Sequence, residues 1–361
     1  MIVPVRGDEP GLLEHLLALR AAGQVPLVGD ERWPREHWDA VLAMTATARP
    51  PADAAWATLT SGSTGAPRIV LRTAQSWTAS FDAVARMLDA EPTDAVLLPA
   101  PPASSLTLFS LAHALAGGPR PAFGPADAAV SCLHGTPQAL RAVLDAGAPA
   151  RLRTALVGGS HLDSALRARA EAAGIRVWAY YGAAELSFVA VDKGDGLRPF
   201  PGVEVRLRDG VLWVRSPFTA LGYAGADGPL RRDGEWATVG DRAELRDGRL
   251  RLLGRADGAI LSASATIVPD EVEAALRSVP GIRDVVVFGL PQARVGALVA
   301  AFVELDGPAT GLRAASARLL APAHRPRQWF AGELPRTASG KPARAEAARR
   351  ALAGEVQRLV V

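Results

Sequence analysis

Hydrophobic residues in the first half of the chain alternate between helical and strand-like spacing. Residues 11–22 carry leucines at the spacing of an amphipathic helix, and residues 25–28 form a short apolar run typical of a strand. The same spacing predicts helices at residues 76–88, 136–144 and 162–173. Further strands are predicted on both sides of a polar loop at residues 60–68, and at residues 96–99 and 155–159, with a connector at residues 45–54. Strands that alternate with helices indicate an α/β sheet.

From Val203 onward the pattern changes to short alternating strands separated by Asp-Gly pairs, which are typical of hairpin turns. The pairs are Asp209-Gly210, Asp233-Gly234, Asp247-Gly248 and Asp257-Gly258. After Gly254, helices are predicted near residues 269–278 and 343–359, and strands at residues 285–290 and 298–305. The expected fold class is therefore α/β, with a large lobe and a β-rich subdomain over residues 1–253 and a small α+β domain over residues 254–361.

Composition argues against several classes of protein. The 361 residues are 49% hydrophobic and 21% charged with a net charge of +3, which is typical of a globular chain. No dense basic block is interleaved with aromatic residues, so no nucleic-acid partner is expected. The chain has no signal-peptide pattern and no apolar run of membrane-spanning length, so we expect a cytoplasmic protein with no membrane span. The single cysteine, Cys132, excludes an internal disulfide and is expected in the core.

Lysine is almost absent from this chain. Of its 40 lysine and arginine residues, only Lys193 and Lys341 are lysine. Because a bias toward arginine has replaced nearly every other cation, a retained lysine points to a role that needs a compact ammonium group. Lys341 ends the string Leu-Pro-Arg-Thr-Ala-Ser-Gly-Lys at residues 334–341, whereas Lys193 is expected to be a surface residue. The string alone also fits a turn that carries a stray cation.

Residues 60–68 read Thr-Ser-Gly-Ser-Thr-Gly-Ala-Pro-Arg. Two glycines allow a ligand to approach the backbone closely, and the hydroxyl and N–H groups can surround an oxyanion. The cation that follows, Arg68, suits a polyphosphate. The spacing differs from the Walker pattern, which has Gly-Lys-Ser/Thr at the start of a helix. A generic Ser/Gly turn is the alternative.

Three other motifs carry possible ligand contacts. Residues 180–185 combine tyrosines that can stack on a purine with Glu185, a carboxylate that can hold magnesium. Asp241, at a turn, can accept hydrogen bonds from the two hydroxyls of a ribose. Arg255 lies where the β-rich part gives way to the α+β part. Taken singly, these motifs also fit a strand end, an Asx turn and a linker.

The order of these motifs resembles the adenylate-forming superfamily, which contains acyl- and aryl-CoA synthetases, the adenylation domains of peptide synthetases, and luciferases. The resemblance runs from about residue 56 to the C-terminus. Residues 209–223 resemble the family's strand pair that ends in Gly-Tyr, and residues 269–273 resemble the start of one of its helices. The resemblance implies activation of a carboxylic acid by ATP, with Mg²⁺ bound and pyrophosphate released. The acyl group of the acyl-adenylate then passes to a thiol, on CoA or on the phosphopantetheine of a carrier protein.

The resemblance also implies a set of nucleotide-binding residues. They are Thr60, Ser61, Gly62, Ser63, Thr64, Gly65, Arg68, Gly159, Ser160, Tyr181, Gly182 and Asp241. Residues 60–65 would hold the β- and γ-phosphates, with Arg68 in place of the family's usual lysine. Tyr181 would stack on adenine, with Gly159 and Ser160 along its edge.

Catalytic roles are implied in the same way. Glu185 would hold magnesium, and Arg255 would bind the ribose together with Asp241. Lys341 would bridge the carboxylate and the α-phosphate, where charge develops in the transition state. Asp257 matches the hinge about which the small domain rotates between the two half-reactions.

Several positions depart from the family pattern. Ala184 replaces a usual threonine, Leu261 a common lysine, and Ser264 a glycine beside which the pantetheine arm usually passes. The segment 99–106 offers only Ser104 and Ser105 where the family has a substrate-side histidine or aromatic residue. The segment before the phosphate loop is much shorter than in the family, which predicts a reduced subdomain and a homo-oligomer or tight partner that covers the exposed surface.

Three functions follow from these observations. The first is a ligase that activates a small aromatic or acyl carboxylic acid and loads it onto a carrier protein in preference to free CoA. The second is an adenylating enzyme with another acceptor. The third is a non-catalytic nucleotide-binding or scaffold protein of the same fold, which Ala184 and the short N-terminal segment favour and Lys341 opposes. No catalytic role is assigned to His113, His134, His161 or His324.

Overall fold

The structure, a computed structural model, describes residues 1–33, 35–60, 68–159, 162, 164–225, 228–255, 260–262, 265–267, 269–307, 311–335 and 344–359. The described residues form two compact units. The N-terminal unit comprises residues 1–60 and 68–253, and the C-terminal unit begins at residue 254. None of the described helices is long and apolar enough to cross a membrane.

The first sheet of the N-terminal unit begins with a β–α–β–α segment. Its strands, in spatial order, are β1 (Ile2–Arg6), β2 (Val25–Gly29), β3 (Ala54–Thr60), β4 (Arg68–Thr73) and β14 (Gly222–Ala224). Strands β1 to β3 are parallel, and β4 is antiparallel to β3 and to β14. The helices are α1 (Leu12–Ala21) and α2 (Arg35–Thr47). The expected connector at 45–54 is therefore too long, because the last turn of α2 extends to Thr47 and buries Thr45.

The second sheet carries the predicted α/β alternation. Its strands are β5 (Ala95–Leu97), β6 (Arg120–Ala122), β7 (Val130–Gly135), β8 (Thr154–Val157), β9 (Arg176–Ala183), β10 (Ser187–Asp192) and β11 (Arg198–Pro199). The order is β11-β10-β9-β8-β7-β5-β6, in which β9 through β6 are parallel. The accompanying helices are α3 (Gln75–Leu88), α4 (Ser105–Leu115), α5 (Pro137–Ala146) and α6 (Ser164–Ala172). Because parallel strands share a direction, the residues after β7, β8 and β9 lie at one edge of the sheet.

The third sheet is the β-rich part. Its strands are β12 (Glu204–Arg208), β13 (Val211–Arg215), β15 (Arg231–Asp233), β16 (Trp236–Thr238), β17 (Asp241–Arg246) and β18 (Arg249–Arg255). The β12–β13 hairpin turns at Asp209-Gly210, where both residues have positive φ (52° and 76°), as a type I′ turn requires. The prediction that residues 209–223 form a pair of strands is wrong, because the two strands in this segment do not pair with each other. Its last strand, β14, pairs with β4 of the first sheet, whereas β13 pairs with β12, β16 and β17.

The C-terminal unit is a separate α+β structure with its own core. Its strands are β19 (Ile260–Ser262), β20 (Ala265–Ile267), β21 (Ile282–Gln292), β22 (Gly296–Leu305), β23 (Gln328–Ala331) and β24 (Gln357–Leu359), and its helices are α7 (Pro269–Arg277), α8 (Leu312–Leu319) and α9 (Arg344–Leu352). The helix predicted over 343–359 is too long. It ends at Leu352, since Gly354 adopts a φ of 72° and the Glu355 N–H returns to the Arg350 carbonyl at 3.0 Å. The chain then forms β24, which pairs with β23.

Candidate active site

Two tyrosines at the end of β9 contact different neighbours, because successive side chains of a strand point to opposite faces. The Tyr181 hydroxyl donates a hydrogen bond to Oδ2 of Asp241, the first residue of β17. The Tyr180 hydroxyl instead contacts His134 Nε2 at 3.1 Å, and His134 Nδ1 contacts Ser110 Oγ at 2.7 Å. The structure therefore joins two sequence motifs that are 60 residues apart, through Tyr181 and Asp241.

Two glycines beside these tyrosines allow close packing, of Tyr180 in one case and of the neighbouring strand's backbone in the other. A Cβ added to Gly158, the residue after β8, would lie 2.2 Å from Tyr180 Cζ. A Cβ on Gly182 would lie 2.1 Å from the carbonyl oxygen of Ser187. Both positions therefore exclude every larger residue without rearrangement, which explains the glycines of these motifs by packing alone.

The turn that presents Asp241 is held by a buried threonine. Thr238 Oγ1 donates to the Leu212 carbonyl at 2.6 Å and accepts the Gly240 N–H at 3.0 Å. Gly240 takes a φ of 86°, which favours glycine. The carboxylate of Asp241 is thus fixed by a turn on one side and by the Tyr181 hydroxyl on the other. Since a carboxylate offers about four acceptor sites, Asp241 can also accept hydrogen bonds from ligand hydroxyls.

Glu185 is a buried carboxylate, with 4% of its surface exposed. Its Oε1 accepts a hydrogen bond from the Tyr223 hydroxyl at 2.8 Å, and its carbonyl oxygen accepts the Ala220 N–H at 2.7 Å. Burial, and next the neighbouring carboxylate, raise the pKa of Tyr223, so the phenol keeps the proton that it donates. Tyr223 was known from the sequence only as the end of a strand. Its contact with Glu185 was not predictable, because 38 residues separate the two.

Strand pairing brings the ends of the predicted phosphate loop to the same part of the first sheet. Thr60 ends β3 and lies opposite Arg68, the first residue of β4, in the antiparallel register. Tyr223 lies opposite Val70 of β4, two residues after Arg68. The positive charge of Arg68 acts on the Tyr223 hydroxyl and opposes the rise of its pKa. The described ends of the loop, Tyr223 and, through it, Glu185 are therefore neighbours.

Several predicted residues lie outside the described part of the chain, and their placement stays a prediction. They are Ser61, Gly62, Ser63, Thr64, Gly65, Ser160, His161, Asp257, Ser264 and Lys341. Gly159 follows Gly158 with a φ of 83°. For Arg255 the structure gives only the backbone, as the last residue of β18. Among the departures, Leu261 lies exposed in β19.

Residues without a predicted catalytic role have structural positions. Cys132 is fully buried, and burial raises the pKa of its thiol to about 12, which confirms the expected core position. Burial lowers the pKa of His134 to about 3 and that of His113 to about 4, so both rings are neutral. Ser104 caps α4 by accepting the Thr107 N–H at 3.3 Å, and Lys193 is exposed as predicted. Among the described residues, no three acidic, histidine or cysteine side chains form a metal-binding cluster.

Comparison with known proteins identifies the family. The model of the AMP-binding enzyme family matches residues 9–224, and that of the AMP-binding enzyme C-terminal domain matches residues 271–341. The chain belongs to the AMP-binding enzymes. The family resemblance derived from the motifs is confirmed, and with it the α/β fold with a large N-terminal and a small C-terminal domain.

Relatives of this AMP-binding enzyme include ligases with two kinds of acceptor. The 2-succinylbenzoate–CoA ligase of Salmonella typhimurium is 33% identical over 68% of this chain and 57% of its own length. The medium/long-chain-fatty-acid–[acyl-carrier-protein] ligase FadD10 of Mycobacterium tuberculosis is 32% identical over 58% of this chain and 46% of its own. The chain thus spans about half of each of these relatives. A solved structure of the o-succinylbenzoate CoA synthetase from Bacillus subtilis, 21% identical, aligns with 99% of this chain and 89% of its own at a TM-score of 0.80, which shows the shared fold.

Proposed function

We propose that this chain is an AMP-forming acid:thiol ligase. In the first step a carboxylate oxygen of the acid attacks the α-phosphorus of ATP, and pyrophosphate leaves with the electrons of the broken P–O bond. In the second step a thiol gives up its proton, its sulfur attacks the acyl carbon, and AMP leaves. The observation that carries the proposal is the contact between Tyr181 and Asp241, which unites the motifs assigned to adenine and ribose in a family that binds AMP.

The residues around Glu185 fit a magnesium ion that arrives with the nucleotide. Mg²⁺ keeps several waters and is usually held by one or two carboxylates together with substrate phosphates. Glu185 is a single fixed carboxylate with Arg68 nearby, and it is not part of a larger acidic cage among the described residues. Only one of its oxygens is used by Tyr223, so the carboxylate retains the capacity to hold a cation. When bound, Mg²⁺ would neutralise charge on the departing phosphates.

The C-terminal unit would supply the remaining groups. We assign Lys341 to the bridge between carboxylate and α-phosphate, Arg255 to the ribose and Asp257 to the hinge. The assignment of Lys341 is supported by its survival in a chain with only two lysines. A domain boundary at residues 253–254, as in the expected division into 1–253 and 254–361, would let the small domain move between the two steps.

The acceptor would be a phosphopantetheine thiol, on a carrier protein or on CoA, both of which are anionic. A cavity of about 540 Å³ in the C-terminal unit is lined by Arg313, Arg325, Arg327 and Arg358 around Trp329. None of the lining residues that the structure describes is acidic. Such a cavity favours an anionic partner. The acid would be small and carboxylic, with 2-succinylbenzoate and other aromatic acids as the first candidates because of the named relatives. A cytoplasmic location and a homo-oligomer stay predictions.

Exchange of labelled pyrophosphate into ATP, measured across a panel of aromatic and fatty acids, tests the proposal. We expect acid-dependent exchange that Lys341→Ala lowers by about 10²–10³-fold, the usual loss for one preorganised donor to a transition state. Lys193→Ala is the matched control, since that lysine is exposed, and should leave exchange unchanged. Exchange unaffected by Lys341→Ala would refute the assigned role. No exchange with any acid would favour the non-catalytic alternative.

A further inference from the structure

Arg72, in β4, is an arginine with no exposed surface. Its Nη1 donates to the Phe218 carbonyl at 2.6 Å and to Ser76 Oγ at 3.3 Å. Its Nε and Nη2 both donate to the Ala184 carbonyl, at 3.1 and 2.5 Å. The guanidinium lies 5.6 Å from the centre of the Trp77 ring. The sequence analysis assigned no role to Arg72, although a charged residue after the apolar run Ile69–Leu71 was a visible signal.

The burial of this cation has a cost that only specific contacts offset. Burial lowers the pKa of Arg72 to about 9, and the negative charge of Glu185 opposes that shift. The side chain therefore remains protonated at neutral pH, and the negative charge of Glu185 stabilises the protonated form. A buried charge persists in proteins where hydrogen bonds and an opposite charge stabilise it. Arg72 has both, because two backbone carbonyls accept hydrogen bonds from it while Glu185 supplies the counter-charge.

Arg72 fixes the backbone next to Glu185 without bonding the Glu185 carboxylate. Among the described residues, the hydrogen bonds of Arg72 reach carbonyl and hydroxyl oxygens, and the carboxylate of Glu185 is bonded by Tyr223 instead. An arginine paired directly with Glu185 would occupy the carboxylate oxygens that a cation needs. Here the arginine fixes the peptide immediately before Glu185 and leaves those oxygens available to other partners.

We propose that Arg72 is a positioning residue: it holds Glu185 in the position needed to bind the magnesium ion that arrives with ATP. It links the segment after β9, through Ala184, to the segment before β14, through Phe218. The second segment also contacts the first directly, through the Ala220 N–H and the Glu185 carbonyl, and leads to Tyr223. One guanidinium thus fixes both the peptide that carries the carboxylate and the strand that carries its hydrogen-bond donor. The inference rests on the proposed function.

Calorimetric titration of the full chain with Mg·ATP and, separately, with AMP tests this role. Residues that position a metal ligand typically contribute 10–100-fold to metal affinity. We expect Arg72→Lys to weaken Mg·ATP binding by about tenfold or more, since lysine keeps the charge but cannot bond two carbonyls in a fixed plane. AMP affinity should stay within about twofold, because the assigned adenine and ribose contacts, Tyr181 and Asp241, lie elsewhere. A merely structural arginine would lower both affinities together.

Glu185→Gln provides the comparison that isolates the coupling. If Arg72 acts through Glu185, the double variant loses no more Mg·ATP affinity than Glu185→Gln alone. Additive losses, or equal losses of Mg·ATP and AMP affinity, would overturn the inference while leaving the proposed function intact.

Should Arg72→Lys not fold, Ser76→Ala removes one bond to Nη1, and it should weaken Mg·ATP binding selectively to a smaller extent. An unchanged affinity there also overturns it. Absence of Mg·ATP binding by the unaltered chain overturns both proposals.

Discussion

Replacement of Tyr223 by phenylalanine removes one hydrogen bond from a buried carboxylate without changing the shape of the ring. In the native protein the hydroxyl donates to Glu185 Oε1 at 2.8 Å and accepts the Leu230 N–H at 3.1 Å. The variant leaves the carboxylate of Glu185, which is 4% exposed, without this donor. The decrease in the free energy of unfolding should therefore be large for the removal of a single hydroxyl group.

The structure offers a matched replacement with a neutral partner. Tyr180 bonds His134 at 3.1 Å, and burial keeps that imidazole neutral with a pKa of about 3. Hydrogen bonds to charged groups contribute about 1.5–3 kcal/mol, and those between neutral groups about 0.5–1.5 kcal/mol. Tyr223→Phe loses the bond to the charged carboxylate and also the bond from the Leu230 N–H. We therefore expect it to lower the free energy of unfolding by about 3 kcal/mol, and Tyr180→Phe by about 1 kcal/mol.

Thermal unfolding followed by circular dichroism measures both variants against the native chain at neutral pH. For a domain of this size, 1 kcal/mol corresponds to roughly 2–4 °C in Tm. Tyr223→Phe should then lower the Tm of the N-terminal unit by about 6–12 °C, and Tyr180→Phe by about 2–4 °C. A shift for Tyr223→Phe that is no more than twice the shift for Tyr180→Phe would refute the reasoning, because the loss of two neutral hydrogen bonds would give as much.

Two further predictions concern charged residues elsewhere. Burial alone would raise the pKa of Asp94, but hydrogen bonds from Arg153 and from the Glu91 N–H outweigh it and hold the pKa at about 2, below its ordinary 3.8. The carboxylate should therefore contribute about 2 kcal/mol of stability above pH 4, and this contribution should be lost as the pH falls through 2. In urea titrations, Asp94→Asn should lower the free energy of unfolding at pH 6 and lower it progressively less toward pH 2. A decrease that is the same at every pH would contradict this prediction. In the arginine-lined cavity, Arg327→Gln combined with Arg358→Gln should raise the KM for the thiol acceptor about tenfold, or about 1.4 kcal/mol, with pyrophosphate exchange unchanged. Arg246→Gln, an exposed arginine of the third sheet, is the control, and an unchanged KM in the double variant would remove the support that this cavity gives to an anionic acceptor.

Local sequence was sufficient for features that depend on neighbours in the chain. The Asp209-Gly210 hairpin follows from two residues with positive φ, and the buried α/β strands follow from short apolar runs. The end of α9 was also encoded locally, in Gly354, and was missed because the apolar pattern continues past it into β24. Such errors come from reading periodicity without the glycine that interrupts it.

Contacts between distant parts of the chain could not be predicted from one sequence. The partners of Arg72, at Ala184 and Phe218, lie 112 and 146 residues away. The hydroxyl that meets Glu185 comes from β14, a strand that pairs with β4 rather than with its neighbours in sequence. No periodicity or turn motif reports such pairings, because they depend on which sheet a short strand joins.

Buried carboxylates at the two edges of the second sheet have different contacts with arginine. Asp94 precedes β5, at the amino edge of the parallel strands, and Arg153, which precedes β8, bonds it directly at 2.7 Å. Glu185 follows β9, at the carboxyl edge, and its nearby arginine, Arg72, bonds the preceding carbonyl instead of the carboxylate. A carboxylate neutralised in full by arginine serves stability, since its oxygens have little capacity left for a ligand. A carboxylate that is fixed by its peptide and one phenol, with its counter-charge held at a distance, is the arrangement expected of a group that must still receive a cation.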